Sequence, residues 1–123
     1  MKFKLWLEQN RYQDIISSWQ NSISMRYPGV DVEAWANQNS IELATLKIPP
    51  NLQSGGMGTE IVQSLQKIAQ QINLPIIVKP EPEPRKKAKL ISFYKSLGFV
   101  ENKGRNRDYS ISSPFGTTMY WRP

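Results

Sequence analysis

The chain has 123 residues, of which 39% are hydrophobic and 21% are charged; its formal net charge is +6, and it contains neither Cys nor His. This length fits one domain with a single core, which we expect to span residues 1–123. The lack of Cys and His excludes disulfides, thiolate or imidazole metal ligands, a Cys nucleophile and a His general base. Catalysis therefore has to use carboxylates, Tyr, Lys, the backbone or water, and we expect no metal site.

The first residues, Met1 to Leu5, have too short an apolar run for a signal peptide, and no later segment is apolar enough to cross a membrane. We therefore expect a cytoplasmic protein without a membrane partner. The positive charge favours anionic partners, either nucleic acid or a phosphate-rich cofactor. It concentrates at residues 85–89 and 103–107, and each cluster is either a solvated surface or a binding site.

Hydrophobic periodicity predicts strands and helices along the whole chain, with Gly, Pro and Asn at their ends. Their order of strand, glycine turn, helix, strand, helix and strand is that of an α/β layer domain. The predicted elements are a strand at 3–7, a helix at 12–27, hairpin strands at 30–35 and 40–48, a helix at 57–72, a strand at 74–78, an extended loop at 80–84, a helix at about 86–97, a strand from Phe99 and a last strand at 117–121.

The strand predicted at 40–48 changes its apolar face midway. Its apolar residues occupy odd positions up to Leu43 and even positions from Ala44 to Ile48. Because side chains alternate with a period of two, one explanation is a β-bulge near Ala44 and Thr45, which kinks the strand and frees a backbone N–H. The other explanation is a strand that is buried on both faces.

Residues 53–58, Gln-Ser-Gly-Gly-Met-Gly, lie between that strand and an amphipathic helix. The glycines leave the backbone accessible to a phosphate, and the helix directs its unpaired N–H groups and positive dipole end at the same place. This pattern predicts an anion cradle for a nucleotide-type cofactor. A P-loop would need a Lys after Gly58, and a dinucleotide fingerprint would need a Gly in place of Ile61, so both are excluded.

Gln53, Gly56 and Gly58 match the Gln/Arg-x-x-Gly-x-Gly/Ala motif of the GNAT superfamily of acyl-CoA-dependent N-acetyltransferases, and residues 93–99, Phe-Tyr-Lys-Ser-Leu-Gly-Phe, resemble its second signature. The resemblance covers residues 41–99, and residues 99–106 are similar to the tail of short bacterial and phage members. It implies a GNAT-like α/β (α+β) fold, with a central mixed, mostly antiparallel sheet flanked by helices and a splayed, bulged strand for the cofactor. It also implies transfer of an acetyl group from acetyl-CoA to a primary amine by direct attack, without a covalent enzyme intermediate.

The resemblance also implies roles for particular residues. The pyrophosphate of coenzyme A would bind backbone N–H groups of residues 53–59, and the pantetheine arm would pair with residues 46–48. The freed N–H near Thr45 would hold the oxyanion, and Tyr94 would protonate the departing thiolate. The implied cofactor-binding residues are Leu46, Lys47, Ile48, Gln53, Ser54, Gly55, Gly56, Met57, Gly58, Thr59 and, toward the terminal phosphate, Lys87, where many family members have an Asn.

Two of the catalytic assignments have structural alternatives. Tyr94 either donates a proton or only packs on the inner face of its helix. Glu42 is the candidate general base, with Glu33 and Asp31 as reserves, and its alternative is a solvent-facing position on a half-exposed strand. A base is needed because a lysine-type amine, with a pKa near ~10.4, must lose a proton before it attacks.

The acceptor is an amine, either a small molecule or a protein Lys or N-terminus. Fewer residues precede the bulged strand than in most family members, so the acceptor site is either open or completed by a second subunit of a homodimer. A catalytically silent acyl-CoA-binding regulator with the same fold and a small basic nucleic-acid-binding domain are the other functions. Nucleic acid is disfavoured because no aromatic-plus-basic module pattern is present. The acceptor, the general base, the oligomeric state and the role of residues 103–107 do not follow from the sequence.

Overall fold

A computed structural model describes residues 2–80, 84–111 and 118–123, with the backbone alone at 2–10, 54, 84 and 85. The chain contains three α-helices and five strands within the described residues, in the general order that the periodicity predicts from residue 12 onward. The elements are α1 (Lys2–Arg26), β1 (Asp31–Ala36), β2 (Ile41–Lys47), α2 (Met57–Ile72), β3 (Ile76–Val78), α3 (Pro84–Ser96), β4 (Val100–Glu101) and β5 (Met119–Trp121), together with short 3₁₀ helices at Pro50–Gly55, Gly104–Asn106 and Tyr109–Ile111.

The five strands form one sheet in the order β1-β2-β3-β5-β4. β2 and β3 are parallel, whereas β1 with β2, β3 with β5 and β4 with β5 are antiparallel. The expected mixed and mostly antiparallel sheet is therefore confirmed. Since β2, β3 and β4 run in the same direction, their carboxyl ends lie at one end of the sheet.

The helices cover one face of this sheet. Trp19 Nε1 in α1 donates a hydrogen bond to Ser64 Oγ in α2 at 2.8 Å, and Gln66 Nε2 in α2 donates to the carbonyl of Leu97 after α3 at 2.8 Å. The sheet side chains that point toward the helices are buried, whereas Trp35, which points to the opposite face, is 46% exposed. The buried set consists of Val32, Ala34, Ala36, Ile41, Leu43, Ile76, Val78 and Met119.

The α1 helix also covers the free edge of β1. Gln20 Oε1 accepts a hydrogen bond from the N–H of Ala34 at 3.0 Å, and Gln13 Oε1 accepts one from the N–H of Ala36 at 2.8 Å. These side chains satisfy backbone groups that an edge strand would otherwise offer to another chain. Although α1 has 25 residues, no helix in the described ranges is long and apolar enough to cross a bilayer.

The strand predicted at 3–7 is wrong, because these residues belong to α1. The alternation there is only five residues long, and no Gly or Pro separates it from the helix predicted at 12–27, so the helix continues toward the N-terminus. The helix predicted to begin near residue 86 begins at Pro84, because proline is tolerated in a first helical turn. The rest of the predicted loop, residues 81–83, and the start of the last predicted strand at Thr117 lie outside the described residues.

Candidate active site

The face switch in β2 is a β-bulge. Glu33 of β1 pairs with Thr45, and the next residue, Ala34, pairs with Leu43, so Ala44 is the extra residue on β2. Leu43 is buried and Ala44 is exposed, which excludes a strand that is buried on both faces. The bulge predicted near Ala44 and Thr45 is therefore confirmed.

The pairing of β2 with β3 ends just before this bulge, at Leu43 and Val78. The parallel pairing joins residues 41–43 to Ile76–Val78, whereas β2 continues to Lys47 with β1 as its partner. Residues 44–47 therefore turn one edge of their backbone toward the space beyond Val78 rather than toward a paired strand. Backbone groups at such an edge are ready to pair with an extended ligand. We refer to this space, between residues 44–47 of β2 and the carboxyl end of β3, as the cleft.

The glycine-containing segment follows the end of β2 closely. Gln53 Nε2 donates a hydrogen bond to the carbonyl of Ile48 at 2.8 Å, which holds the 3₁₀ helix Pro50–Gly55 against the end of the strand. Gly56 has φ +75° and forms the N-cap of α2, a left-handed conformation that favours glycine. A Cβ added at Gly55 or Gly56 would meet no heavy atom within 4 Å, so this surface has room for a ligand.

The start of α2 supplies polar groups to the same surface. The N–H groups of the first helical residues, Met57, Gly58 and Thr59, have no carbonyl one turn earlier in the helix with which to pair. The positive end of the helix dipole lies at this terminus as well. The segment thus has the chemistry of an anion cradle, which we define as the backbone of residues 53–59.

Gly58 has a packing role that the motif alone did not indicate. It is buried, and a Cβ at this position would lie 3.0 Å from Ile48 Cδ1 and 3.3 Å from Phe93 Cζ. The absence of a side chain therefore lets the end of β2 and α3 both approach the start of α2. Through this contact Gly58 connects the cradle to α3, which carries Tyr94.

Tyr94 lies in the core beside two other aromatic rings. Its ring centroid is 5.1 Å from that of Phe93 and 5.3 Å from that of Phe99, and 7% of the residue is exposed. Burial disfavours the charged phenolate and raises the pKa of Tyr94 to about 12. The phenol therefore keeps its proton throughout the physiological range, although it is a weaker acid than an exposed tyrosine.

Glu42 lies on the opposite face of the sheet from Tyr94. Its side chain is 27% exposed, and its Oε1 lies 3.5 Å from Nζ of Lys79, which follows β3. In the strand register its direct neighbours are Trp35 on β1 and Ile77 on β3. Sequence reasoning missed both Lys79 and Trp35, because their proximity to Glu42 depends on which strands pair and in which register.

The remaining predicted residues occupy three environments. Leu46 and Ile48 are half-buried and pack against the core, and Thr45 is half-buried. Lys47 is exposed and pairs in register with Asp31, while Glu33 is exposed opposite Thr45. Lys87 is half-buried on α3, and Ser54 belongs to the 3₁₀ helix before Gly56. The bulge, the cleft and the cradle thus form one region, with Tyr94 and Glu42 on opposite faces of the sheet.

A separate groove of about 630 Å³ lies between α1 and α2. Arg26, Tyr27, Glu60 and Lys67 are among its lining residues, and the hydroxyl of Tyr27 donates a hydrogen bond to Glu60 Oε2 at 3.0 Å. That hydrogen bond is the main cause of a raised pKa at Tyr27. None of the predicted site residues lines this groove.

No family model matches the chain, and no curated protein matches its sequence. Its fold resembles the crystal structure of the anti-CRISPR protein AcrVA5, with a TM-score of 0.56 and 19% identity over 76% of this chain and 90% of that one. It also aligns with a mutant AtaT toxin bound to acetyl-CoA and the C-terminus of the antitoxin AtaR, with a TM-score of 0.46 and 20% identity. The chain spans 55% of the length of that toxin. At this identity the similarity shows the fold alone, which is GNAT-like.

Proposed function

We propose that this chain is a single-domain N-acetyltransferase that transfers the acetyl group of acetyl-CoA to a primary amine. The observation that carries the proposal is that the pairing of β2 with β3 ends just before the Ala44 bulge, beside the glycine cradle, while β2 continues to Lys47. An extended thioester ligand needs a strand edge with which to pair and an anion site at one end for its phosphates. The cleft and the cradle have these two chemistries next to each other.

The proposed binding of acetyl-CoA uses the backbone of the chain more than its side chains. In the proposed complex the cradle N–H groups bind the pyrophosphate, and the backbone of Leu46, Lys47 and Ile48 pairs with the pantetheine arm. Lys87 is the candidate contact for the terminal phosphate. The open space at Gly55 and Gly56 supports this assignment, since any side chain at Gly56 would project into the surface that the phosphates need.

The proposed reaction forms a C–N bond and breaks the C–S bond of the thioester. The N–H freed by the bulge near Thr45 stabilises the oxyanion that develops on the carbonyl as the amine attacks. Glu42 removes the proton that the amine loses, directly or through a water molecule. The position of Glu42 on the exposed face supports this role, because an acceptor can approach the cleft from that side.

Tyr94 is the proposed partner of the departing thiolate. An alkyl thiol such as that of cysteine has a pKa near ~8.5, so complete proton transfer from a phenol with a pKa of about 12 is uphill by roughly 5 kcal/mol. Tyr94 in this environment therefore acts first as a hydrogen-bond donor that stabilises the developing negative charge on sulfur. The proton that completes the free thiol can then come from solvent.

Titration calorimetry with acetyl-CoA, coenzyme A and ATP tests the cradle. We expect the two coenzyme A forms to bind and ATP to bind weakly. Gly56→Asp should abolish binding, because it adds a negative side chain to the phosphate surface. Gly104→Asp is a matched control, since Gly104 also has a positive φ, of +58°, and open space around it, but belongs to the 3₁₀ helix Gly104–Asn106 rather than to the cradle. Equal affinities of Gly56→Asp and Gly104→Asp for acetyl-CoA would show that the cradle assignment is wrong.

Turnover distinguishes an enzyme from a silent acyl-CoA-binding protein. An amine-acceptor screen that follows thiol release should detect activity in the parent chain and reduced activity in Tyr94→Phe. Binding of acetyl-CoA without turnover of any amine would favour the regulator instead. Failure to bind either coenzyme A form would contradict both functions.

A further inference from the structure

The segment that follows β4 is a structured basic loop, which we define as residues 102–111. Asn102 organises it, because its Oδ1 accepts a hydrogen bond from the N–H of Asp108 at 2.6 Å and its Nδ2 donates to the carbonyls of Asp108 and Ile111 at 3.1 and 3.2 Å. The hydroxyl of Tyr120 on β5 donates to the carbonyl of Asn106 at 2.6 Å. These contacts tie both 3₁₀ turns of the loop to the sheet.

The positive charges of the loop are only partly neutralised. Lys103 Nζ lies 3.6 Å from Glu101 Oε1, and Arg122 on the adjacent strand end is paired with Asp108. Arg105 and Arg107 are exposed, and within the described ranges neither has a carboxylate at ion-pair distance. The loop therefore presents two guanidinium groups that are available to an anionic partner.

Aromatic rings accompany these arginines. The Arg107 guanidinium lies 5.2 Å from the ring centroid of Tyr109, and Tyr109 is 78% exposed. A second pair has the same form, with the Arg122 guanidinium 5.6 Å from the ring centroid of Tyr120. Tyr120 and Arg122 are distant from the loop in sequence and join it through the hydrogen bond of Tyr120 with Asn106 and the ion pair of Arg122 with Asp108.

We propose that this loop is a binding surface for single-stranded nucleic acid. The guanidinium groups of Arg105 and Arg107 bind phosphates, and the exposed ring of Tyr109, with Arg107 beside it, stacks on a base. A single strand is favoured over a duplex for two reasons. The bases of a single strand are accessible for stacking, and the two 3₁₀ turns are too short to fill a duplex groove in the manner of a recognition helix. An acidic peptide would satisfy the arginines but would not use the exposed ring.

The loop lies at the same end of the sheet as the cleft. It follows the carboxyl end of β4, which runs parallel to β2 and β3. A bound nucleic-acid strand would therefore lie at the end of the sheet where the pairing of β2 with β3 stops. The proposal does not depend on the acetyl-transfer function, because it rests on the contacts of the loop alone.

Fluorescence anisotropy with labelled oligo-uridine and oligo-thymidine of about 15 nucleotides tests the proposal, and the two sugars distinguish RNA from DNA. We expect affinity to decrease with salt between about 50 and 200 mM. Arg105→Ala with Arg107→Ala should reduce the slope of log affinity against log salt by about 1.4, at ~0.7 for each lost phosphate contact. Tyr109→Ala should weaken binding by about fivefold or more without changing this slope.

The matched control is Arg26→Ala with Lys67→Ala, which removes the same charge from the groove between α1 and α2. Circular dichroism and urea unfolding check that each variant is folded. Equal weakening by the loop and control pairs would show that only net charge matters, and would overturn the proposal. It would also be overturned if the parent bound no oligonucleotide, or if poly-glutamate or phosphatidylserine vesicles displaced the oligonucleotide as effectively as unlabelled oligo-uridine.

Discussion

The burial of Tyr94 has a measurable consequence for stability in alkaline solution. The pKa of Tyr94 is raised to about 12 in the folded chain, whereas in the unfolded chain it is near the ordinary value of ~10. Below pH ~10 the phenol is neutral in both states, and its contribution to stability is fully present. Between pH ~10 and ~12 the unfolded chain loses the proton first, so stability decreases by about 1.4 kcal/mol per pH unit, or about 2.7 kcal/mol in all.

Tyr94→Phe removes this ionisation and keeps most of the aromatic packing against Phe93 and Phe99. Urea unfolding followed by circular dichroism at about pH 9 and pH 11 compares the two proteins. Because lysines and the other tyrosines titrate in both, their effects cancel in the difference. We expect the parent to lose about 1.4 kcal/mol more than Tyr94→Phe over this interval.

Equal losses in the two proteins would refute the reasoning, since they would mean that Tyr94 ionises like an exposed phenol. The same raised pKa has a kinetic consequence for the proposed enzyme. If the protonated phenol assists thiolate departure, the pH–rate profile should show no decrease due to Tyr94 below pH ~10. A descending limb in that range that is lost in Tyr94→Phe would contradict the buried, protonated state.

Three further changes test the packing and the proposed chemistry. Gly58→Val should lower the free energy of unfolding in urea by about 1–3 kcal/mol through overpacking, whereas Gly55→Ala, which enters open space, should change it by less than ~0.5 kcal/mol. Gln20→Ala should cost about 1–2 kcal/mol in the same assay, because a backbone N–H at the edge of β1 loses its acceptor. Glu42→Gln should lower kcat/KM by about 10²–10⁴-fold and leave the affinity for acetyl-CoA unchanged. Glu33→Gln is the control and should leave kcat/KM unchanged. Equal effects of these two substitutions on kcat/KM would argue against Glu42 as the base.

Most of the fold could be predicted from local patterns. The helical period over residues 57–72 and the αL residue Asn73 after them are encoded by near neighbours, and the observed helix has these bounds. The incorrect prediction of a strand at residues 3–7, which belong to α1, has a local cause as well. Five residues are too few to distinguish a strand period from a helix period. The face switch in β2 indicated either a bulge or a strand buried on both faces, and the strand register and the exposure of Ala44 decided for the bulge.

The candidate site was predictable only in its backbone. Glycine spacing indicated the cradle and the start of α2, since both depend on φ values and on the first turn of one helix. The partner of Glu42 was not predictable, because Lys79 reaches it through the pairing of β2 with β3. The packing role of Gly58 was not predictable either, because Phe93 approaches it from another helix.

The sequence by itself determined where the chain turns, which faces are apolar, where the apolar face of β2 switches and where glycines precede the first turn of α2. These properties depend on residues within a few positions of one another. The tertiary structure alone decided that Tyr94 is buried enough to raise its pKa, and that Tyr120 and Arg122 contact the basic loop. Desolvation and these loop contacts depend on which distant segments pack together, and that packing is a property of the whole fold.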